Sequence, residues 1–472
     1  MEGQQRIDFA AQPVPAQAAP RGDDEAWSAW MRRRLARHIP ELIRLSIPAV
    51  GTRLGMLVMA FVDTIMVGRY ATSDLAALTL ANQGLILPLL ITGIGLLMGV
   101  IVYSAQAYGR GRRDEVVRIF WRNLPYAGVI GLTTVVLCAA AQPLFLALGQ
   151  EPGLVDQALP LVWILAAGLP GHFLFYVGAS VLEGIKRPHI AAYGIVLANF
   201  VNLLLNWILV YGPGPFPELG AAGSAWATTV LRWVLALATL AYLLRAPALV
   251  GEFGFARAMW QPLKDWAEQR RLGYASAVSL AAEVCAFGGL SIIAGLISTL
   301  AVAAVGITFN LMTLPFMAAS GIGAATSVRV SVALGRGDAD DTKLAGWTGL
   351  ALSVIFTIVV GALISLNPGA VFALYSDDAA LAPVAIGLIV YIAAVLPFDG
   401  GQSVISMALR GLGETWWPTA IQLFSYLVLM IPLCLVLALS IGPHGLMIGT
   451  LIASVVSVML QSWRFAWKVA RL

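Results

Sequence analysis

Charge is what this chain has least of. Only 11% of its 472 residues are Asp, Glu, Lys or Arg, while 59% are hydrophobic. A soluble domain carries roughly a quarter charged residues because its surface faces water. So little charge excludes an ordinary soluble globule and points to hydrocarbon as the main solvent. Cysteine is scarcer still: Cys138, Cys285 and Cys434 all lie in apolar stretches, and no two form a CxxC. That excludes a disulfide framework or a zinc site of the usual spacing, and buried small hydrophobes are expected instead. No Walker A loop occurs, so the chain is not expected to consume ATP. No basic stripe with interleaved aromatics occurs and the formal charge is only +4, so nucleic acid is not an expected partner.

Long apolar stretches are what remains. They run at about 43–68, 75–106, 119–148, 158–183, 188–211, 221–244, 273–299, 301–333, 344–374, 380–409, 415–440 and 445–468. A membrane helix needs ~20 apolar residues, so each stretch can cross a bilayer. The one long interruption, 245–272, holds Glu252, Arg257, Lys264, Asp265, Glu268, Arg270 and Arg271 and divides six spans from six. The expected organisation is a 1–39 N-terminal segment, a 40–244 lobe, a 245–272 linker and a 273–472 lobe. Within the first segment, the Ala-, Gln- and Pro-rich start lacks the apolar core of a signal peptide and reads as a disordered tail. Trp27 to His38, with Arg32, Arg33, Arg34 and Arg37, reads as a basic interfacial helix.

Lys and Arg crowd alternate loops. Arg110, Arg112, Arg113, Lys186, Arg187, Arg270, Arg271, Arg336, Lys343, Arg464 and Lys468 fall on one side with the N-terminal arginines. The opposite loops, QEPGLVDQ, YGPGPFPELG, YSDDAALAP and SIGPHG, contain neither residue, and Arg69 is the exception. The positive-inside rule then predicts a multi-pass membrane protein with an even number of spans and both termini in the cytoplasm.

The two halves repeat. LPGH at 169–172 precedes Glu183-Gly184, and LPFD at 396–399 precedes Arg410-Gly411, at an offset of 227 residues. GIG and GRG at 93–95 and 109–111 recur at 321–323 and 335–337. Six spans separate the copies, so both halves keep one orientation. A pseudo-two-fold axis along the membrane normal follows, as in secondary transporters.

An ionisable group at membrane depth is costly unless it is paired or wet, and it marks candidate chemistry. Asp63 in AFVDTIMVG, Glu283 in SLAAEVCAF and Asp399 in LPFDGGQSV are such groups. Carboxylates suit a proton or a small hard cation, and a structural bond to a neighbouring helix is the alternative. Asn199, Asn202 and Asn206 share one helix face, either lining a polar cavity with Asp63 or joining helices. Thr228 can add a hydroxyl. Arg53, about ten residues into the first span, either pairs with an acid or meets an anionic part of a substrate. His172 stands at the repeat position of Asp399, titratable or simply hydrogen-bonded. Prolines occur inside spans at Pro48, Pro88, Pro170, Pro315, Pro397 and Pro432, and Pro397 beside Asp399 is the candidate functional kink.

Several of these pieces together resemble a known family. Pro48 precedes Asp63 of FVDTIMVGR by fifteen residues; NLLLNWILVYGPGPFPELGAAGSAWAT, AAEV around Glu283, RVSVALGRGD, and Asp399 ahead of LRG follow. From about Pro40 onward the chain resembles the multidrug and toxic compound extrusion (MATE) transporters, in particular their NorM-like bacterial branch. The resemblance implies an all-α membrane fold of twelve helices in two six-helix lobes facing a central cleft. It implies alternating access, with export of amphiphilic, mainly cationic compounds coupled to inward Na⁺ or H⁺ and no other cofactor. It places cation or proton binding on Asp63, Asn202, Asn206 and Thr228 in one lobe, and on Glu283 and Asp399, a possible Na⁺ pair, in the other. Arg53, Asn199, Asn310 and Gln402 become candidates for the substrate cleft. Val395 stands where some NorM-like members have Tyr, and Val305-Gly306 where they have His-Gln. A monomer in the lipid bilayer is the expected assembly. The alternatives are a flippase for a lipid-linked or anionic amphiphile, for which Arg53 is the motive, and an intramembrane transferase, which the short loops disfavour.

Overall fold

The computed structural model describes residues 27–257, 262 and 266–472. The expected N-terminal tail, and Lys264 and Asp265 of the linker, lie outside the described residues. Among those described there is no β-strand, and twelve helical spans are long and apolar enough to cross a membrane. They are α1 (Arg32–Tyr70), α2 (Thr72–Gly109), α3 (Arg113–Ala147), α4 (Pro152–Gly184), α5 (Pro188–Tyr211) and α6 (Ala221–Arg245) in the first lobe. In the second lobe α7 (Ala267–Ile297), α8 (Thr299–Arg336), α9 (Ala339–Leu366), α10 (Ile392–Gly411), α11 (Trp416–Ile441) and α12 (His444–Val469) follow. The chain is a multi-pass membrane protein.

Where the spans depart from the apolar stretches, local chemistry explains it. The helix of α1 begins at Trp27 and passes unbroken through Pro40 and Pro48, so the expected 39/40 boundary falls inside one helix. The ninth stretch was expected to reach 374, but α9 stops at Leu366. Asn367 then caps a short helix, Pro368–Ala373, by accepting from the Ala370 amide at 3.2 Å. The tenth stretch is two helices, Ala382–Ile389 and α10, parted at Val390 and Tyr391. Pro397 itself causes no break in α10. Pro88 and Pro432 act differently. Each follows a π-helical turn, Asn82–Ile86 in α2 and Phe424–Met430 in α11. A proline ring crowds the carbonyl four residues back and offers it no N–H, so the ladder locally widens.

Glycine spacing sets how the lobes meet. A Cβ placed on Gly109 of α2 would lie 2.3 Å from the Val332 carbonyl of α8, and one on Gly335 of α8 would lie 2.4 Å from the Gln106 carbonyl of α2. The second contact repeats the first with the lobes exchanged, since 106 and 109 correspond to 332 and 335 in the repeat. Gly95 against Ala277 and Gly321 against Val50 form a second reciprocal pair, with gaps of 2.5 and 2.6 Å for an added Cβ. Such mutual contacts are the signature of a two-fold axis. Gly109 and Gly335 of the GRG echo, with Gly95 and Gly321 from the two GIG pieces, are therefore the small residues that let the halves approach, while Gly93 and Gly323 face Phe173 and Met407 of their own lobes.

Ion pairs collect at one end of the bundle. Arg34 and Arg37 reach Asp341 at 2.8 and 3.0 Å, Lys186 reaches Glu41 at 2.5 Å, and Arg464 reaches Glu414 at 2.8 Å. Arg34 is buried. Together with Arg37 it faces the second lobe, so this part of the expected interfacial helix is a bridge between lobes.

Candidate functional site

Asp63 sits two turns before the end of α1, facing α5 and α6. Its Oδ1 accepts from the side-chain amides of Asn202 and Asn206 at 3.1 and 2.7 Å, and its Oδ2 from the Thr228 hydroxyl at 2.7 Å. The i, i+4 spacing of the two asparagines puts both amides on one side of α5, and each is fully buried. Arg232, one turn beyond Thr228, adds a positive charge close to the carboxylate. Asn199, the third member of the stripe, instead donates to the Ile195 carbonyl at 2.8 Å.

A separate cavity of about 560 Å³ lies between the lobes. Its wall is largely apolar and aromatic, with Phe175, Tyr176, Phe287, Phe309 and Phe316 among the lining residues. Glu283 of α7 and Asp399 of α10 face it from the second lobe, and Arg53 of α1, His172 and Glu183 of α4 from the first. Asp63 does not line it. Arg53 reaches Glu183 at 3.8 Å, which settles its partner, and also donates to the Ala49 carbonyl at 3.2 Å. Asn310 accepts from the Tyr375 hydroxyl at 2.8 Å, while Gln402 accepts from Gln422 and Gln461 at 3.2 and 3.4 Å. Asn199, Asn310 and Gln402 thus lie outside the cavity wall, each engaged within its own lobe. Arg53 alone of the four cleft candidates faces the cavity.

Several polar groups of the site have distant or inconspicuous sequence signals. Tyr426, on the π-turn of α11, donates to Asp399 Oδ1 at 3.0 Å and is fully buried. It supplies a hydroxyl to the acid from a different helix than Val395, which packs in the apolar core of the same lobe. Arg410 lines the cavity near Glu283 and donates to Gln422 Oε1 at 3.3 Å, which also accepts from the Ser279 hydroxyl. Glu183 and Arg410 were visible in the sequence as the charged ends of the repeated motif. In place they form opposed patterns: base on α1 and acid on α4 in one lobe, acid on α7 and base on α10 in the other. Glu183 and Arg410 occupy the same repeat position with opposite charge, whereas Arg53 and Glu283 do not correspond: at the same offset they fall opposite Leu280 and Met56.

Two lobes of six helices, joined by reciprocal contacts around a shared cavity with buried acids, define a twelve-span membrane protein made by duplication. The MatE family model matches residues 48–208 and 275–436, one copy per lobe. The chain therefore belongs to the MatE family, and the two matched segments begin 227 residues apart, the offset of the repeat. It is 35% identical over 431 residues, 90% of each chain, to the "Probable multidrug resistance protein NorM" of Caulobacter vibrioides. It is 29% identical to the "Multidrug resistance protein MdtK" of Edwardsiella ictaluri, over 91% of this chain and 96% of that one. A MATE crystal structure in a bent conformation superposes with a TM-score of 0.83 at 20% identity, covering 91% of this chain and 95% of the other. An outward-facing multidrug resistance MATE transporter gives 0.83 at 21% identity, covering 91% and 96%. These likenesses to solved structures speak to the fold.

Proposed function

We propose that this protein is a secondary active exporter of organic, mainly cationic amphiphiles, driven by inward movement of H⁺ or Na⁺ through alternating access. The observation that carries the reading is the cavity between the lobes, apolar in its wall and lined by Glu183, Glu283 and Asp399 against Arg53 and Arg410. Ionised, the three acids outnumber the two bases, so a bound organic cation completes the charge balance. Aromatic faces add dispersion and cation–π attraction for such a ligand. The names of the NorM and MdtK relatives support drug export as the class of activity.

The coupling ion has two candidate stations. Asp63, held by two amides and a hydroxyl, is one. Glu283 and Asp399, which share the cavity with the substrate, are the other. For Na⁺ the second station offers two carboxylates and the Tyr426 oxygen. For a proton either carboxylate suffices. An ion arriving from outside shifts the lobes only if it binds one arrangement more tightly than the other. The lobes meet at the basic end through Gly109, Gly335 and the ion pairs, which we read as the closed cytoplasmic side of an outward-open transporter in the inner membrane.

A second reading, export of an anionic amphiphile, draws on Arg53 and Arg410 in the cavity wall. Arg53 is already engaged by Glu183, which favours the cationic reading. Efflux from proteoliposomes of a cationic dye, compared with an anionic amphiphile of similar size, separates the two. Transport confined to the anion would overturn the first reading.

A further inference from the structure

At the basic end, away from the central cavity, a second pocket of about 130 Å³ lies in the seam between the lobes. The volume is roughly four times the ~30 Å³ that liquid water takes per molecule. Arg37, His38 and Glu41 of α1 and Lys186 of the α4–α5 connection line it from the first lobe. Arg329 and Arg336 of α8 and Asp341 of α9 line it from the second. Four of these residues are cations and two are carboxylates, so positive charge is in excess. Arg34 and Asp338 alongside add one charge of each sign and leave the excess unchanged.

The carboxylates are already shared among several bases. Asp341 takes Arg37 at 3.0 Å and Arg336 at 3.1 Å, besides Arg34 at 2.8 Å and His38 at 3.0 Å. Glu41 takes Lys186 at 2.5 Å and Arg329 at 3.7 Å. Arg329 is 4% exposed and its Nη2 contacts the His38 ring, yet its Nη1 has no hydrogen-bond partner, and neither has Arg336 Nε. A buried guanidinium donor left unmatched is unfavourable unless an acceptor reaches it. Lys186 completes the basic lining from the first lobe. It is the one non-glycine residue at positive φ, +62°, among the described residues, a conformation that side chains disfavour. The conformation ends α4, where the Lys186 and Arg187 amides donate to the Glu183 and Leu182 carbonyls at 3.0 and 2.7 Å.

We propose that this pocket binds a phosphate-type oxyanion, free or on a lipid headgroup, which bridges the two lobes at the basic end. Arginine forks match the paired oxygens of such a group, and lysine supplies a point charge. The bound anion offsets the excess charge and ties α1 to α8, so it favours the arrangement in which this end is shut.

The test uses the full-length protein purified in neutral detergent. Thermal unfolding is followed while millimolar phosphate replaces chloride at fixed ionic strength and fixed Na⁺. In a parallel arm phosphatidylglycerol replaces phosphatidylcholine in mixed micelles. The expected result is a saturable rise in Tm of about 2 °C or more in at least one arm. A rise with phosphate identifies a small-anion site, and a rise with phosphatidylglycerol alone identifies the headgroup as the source. Lys186→Gln and Arg336→Gln, at partly exposed positions, should move the half-saturation point about tenfold upward, while the surface control Arg118→Gln should not. Absence of a saturable rise in both arms overturns the proposal, and so does an unchanged half-saturation point in the pocket variants.

Discussion

At the residue scale, the geometry makes Asp63 and Asp399 unequal. Asp63 has three donors from two helices, while Asp399 accepts from the Tyr426 hydroxyl and faces the cavity between the lobes. Asp63→Asn should leave the protein folded, because an amide still fits among amides, but should lower gradient-driven dye export by about tenfold or more, equivalent to ~1.4 kcal/mol. Export at the wild-type rate would remove Asp63 from coupling. Tyr426→Phe removes a hydrogen bond to a buried acid, which typically costs about 1–3 kcal/mol. A lowered Tm together with weakened export is expected; an unchanged Tm and rate would show that the hydroxyl is idle. Arg53→Gln leaves Glu183 without its ion-pair partner and should raise affinity for a cationic dye in a direct binding titration. Lower affinity would mean that Arg53 helps to hold the substrate.

The residues of the Asp63 cluster were legible in the sequence because helical spacing puts Asn202 and Asn206 on one face. Their meeting with Asp63, 139 and 143 positions earlier in the chain, was one of two open readings, the other being a bond between helices. The resemblance favoured the reading with Asp63. Glu183 was read only as a repeat marker, and its pairing with Arg53 depends on how α1 packs against α4. Tyr426 was invisible for a sharper reason: a π-turn sets its direction, and ordinary helical counting does not anticipate one.

At the scale of elements, hydropathy placed every span, while caps and prolines set the ends. Asn367 ends α9 earlier than its apolar run does, because its side chain caps the next short helix. The glycines of the seam make a further claim. Alanine at Gly109 or Gly335 would press a methyl to within 2.3 or 2.4 Å of a backbone carbonyl oxygen. Overpacking of this kind typically costs about 1–3 kcal/mol. Both single variants should lower the Tm by similar amounts, because the contacts are reciprocal. Wild-type stability in either would contradict the seam as described.

At the scale of the whole molecule, duplication supplied a frame and divergence assigned the roles. The repeat was legible from two short echoes, and the MatE family matches fall on the same offset. What the echoes could not reveal is that each lobe sets an acid near a base, Arg53 with Glu183 in one and Glu283 with Arg410 in the other, although only Glu183 and Arg410 share a repeat position. Only packing brings those four groups to one cavity. In the proposed alternating-access cycle, these acids are charged or filled according to which side is open. In the proposed mechanism a cation gradient acting on these acids drives export. The most direct measurement is efflux of a cationic dye from proteoliposomes under separately imposed Na⁺ and pH gradients, for the wild type and for Asp63→Asn, Glu283→Gln and Asp399→Asn. Export driven by at least one gradient is expected in the wild type, with severe loss in the variants. Full gradient-driven export in all three variants, or wild-type export indifferent to both gradients, would contradict it.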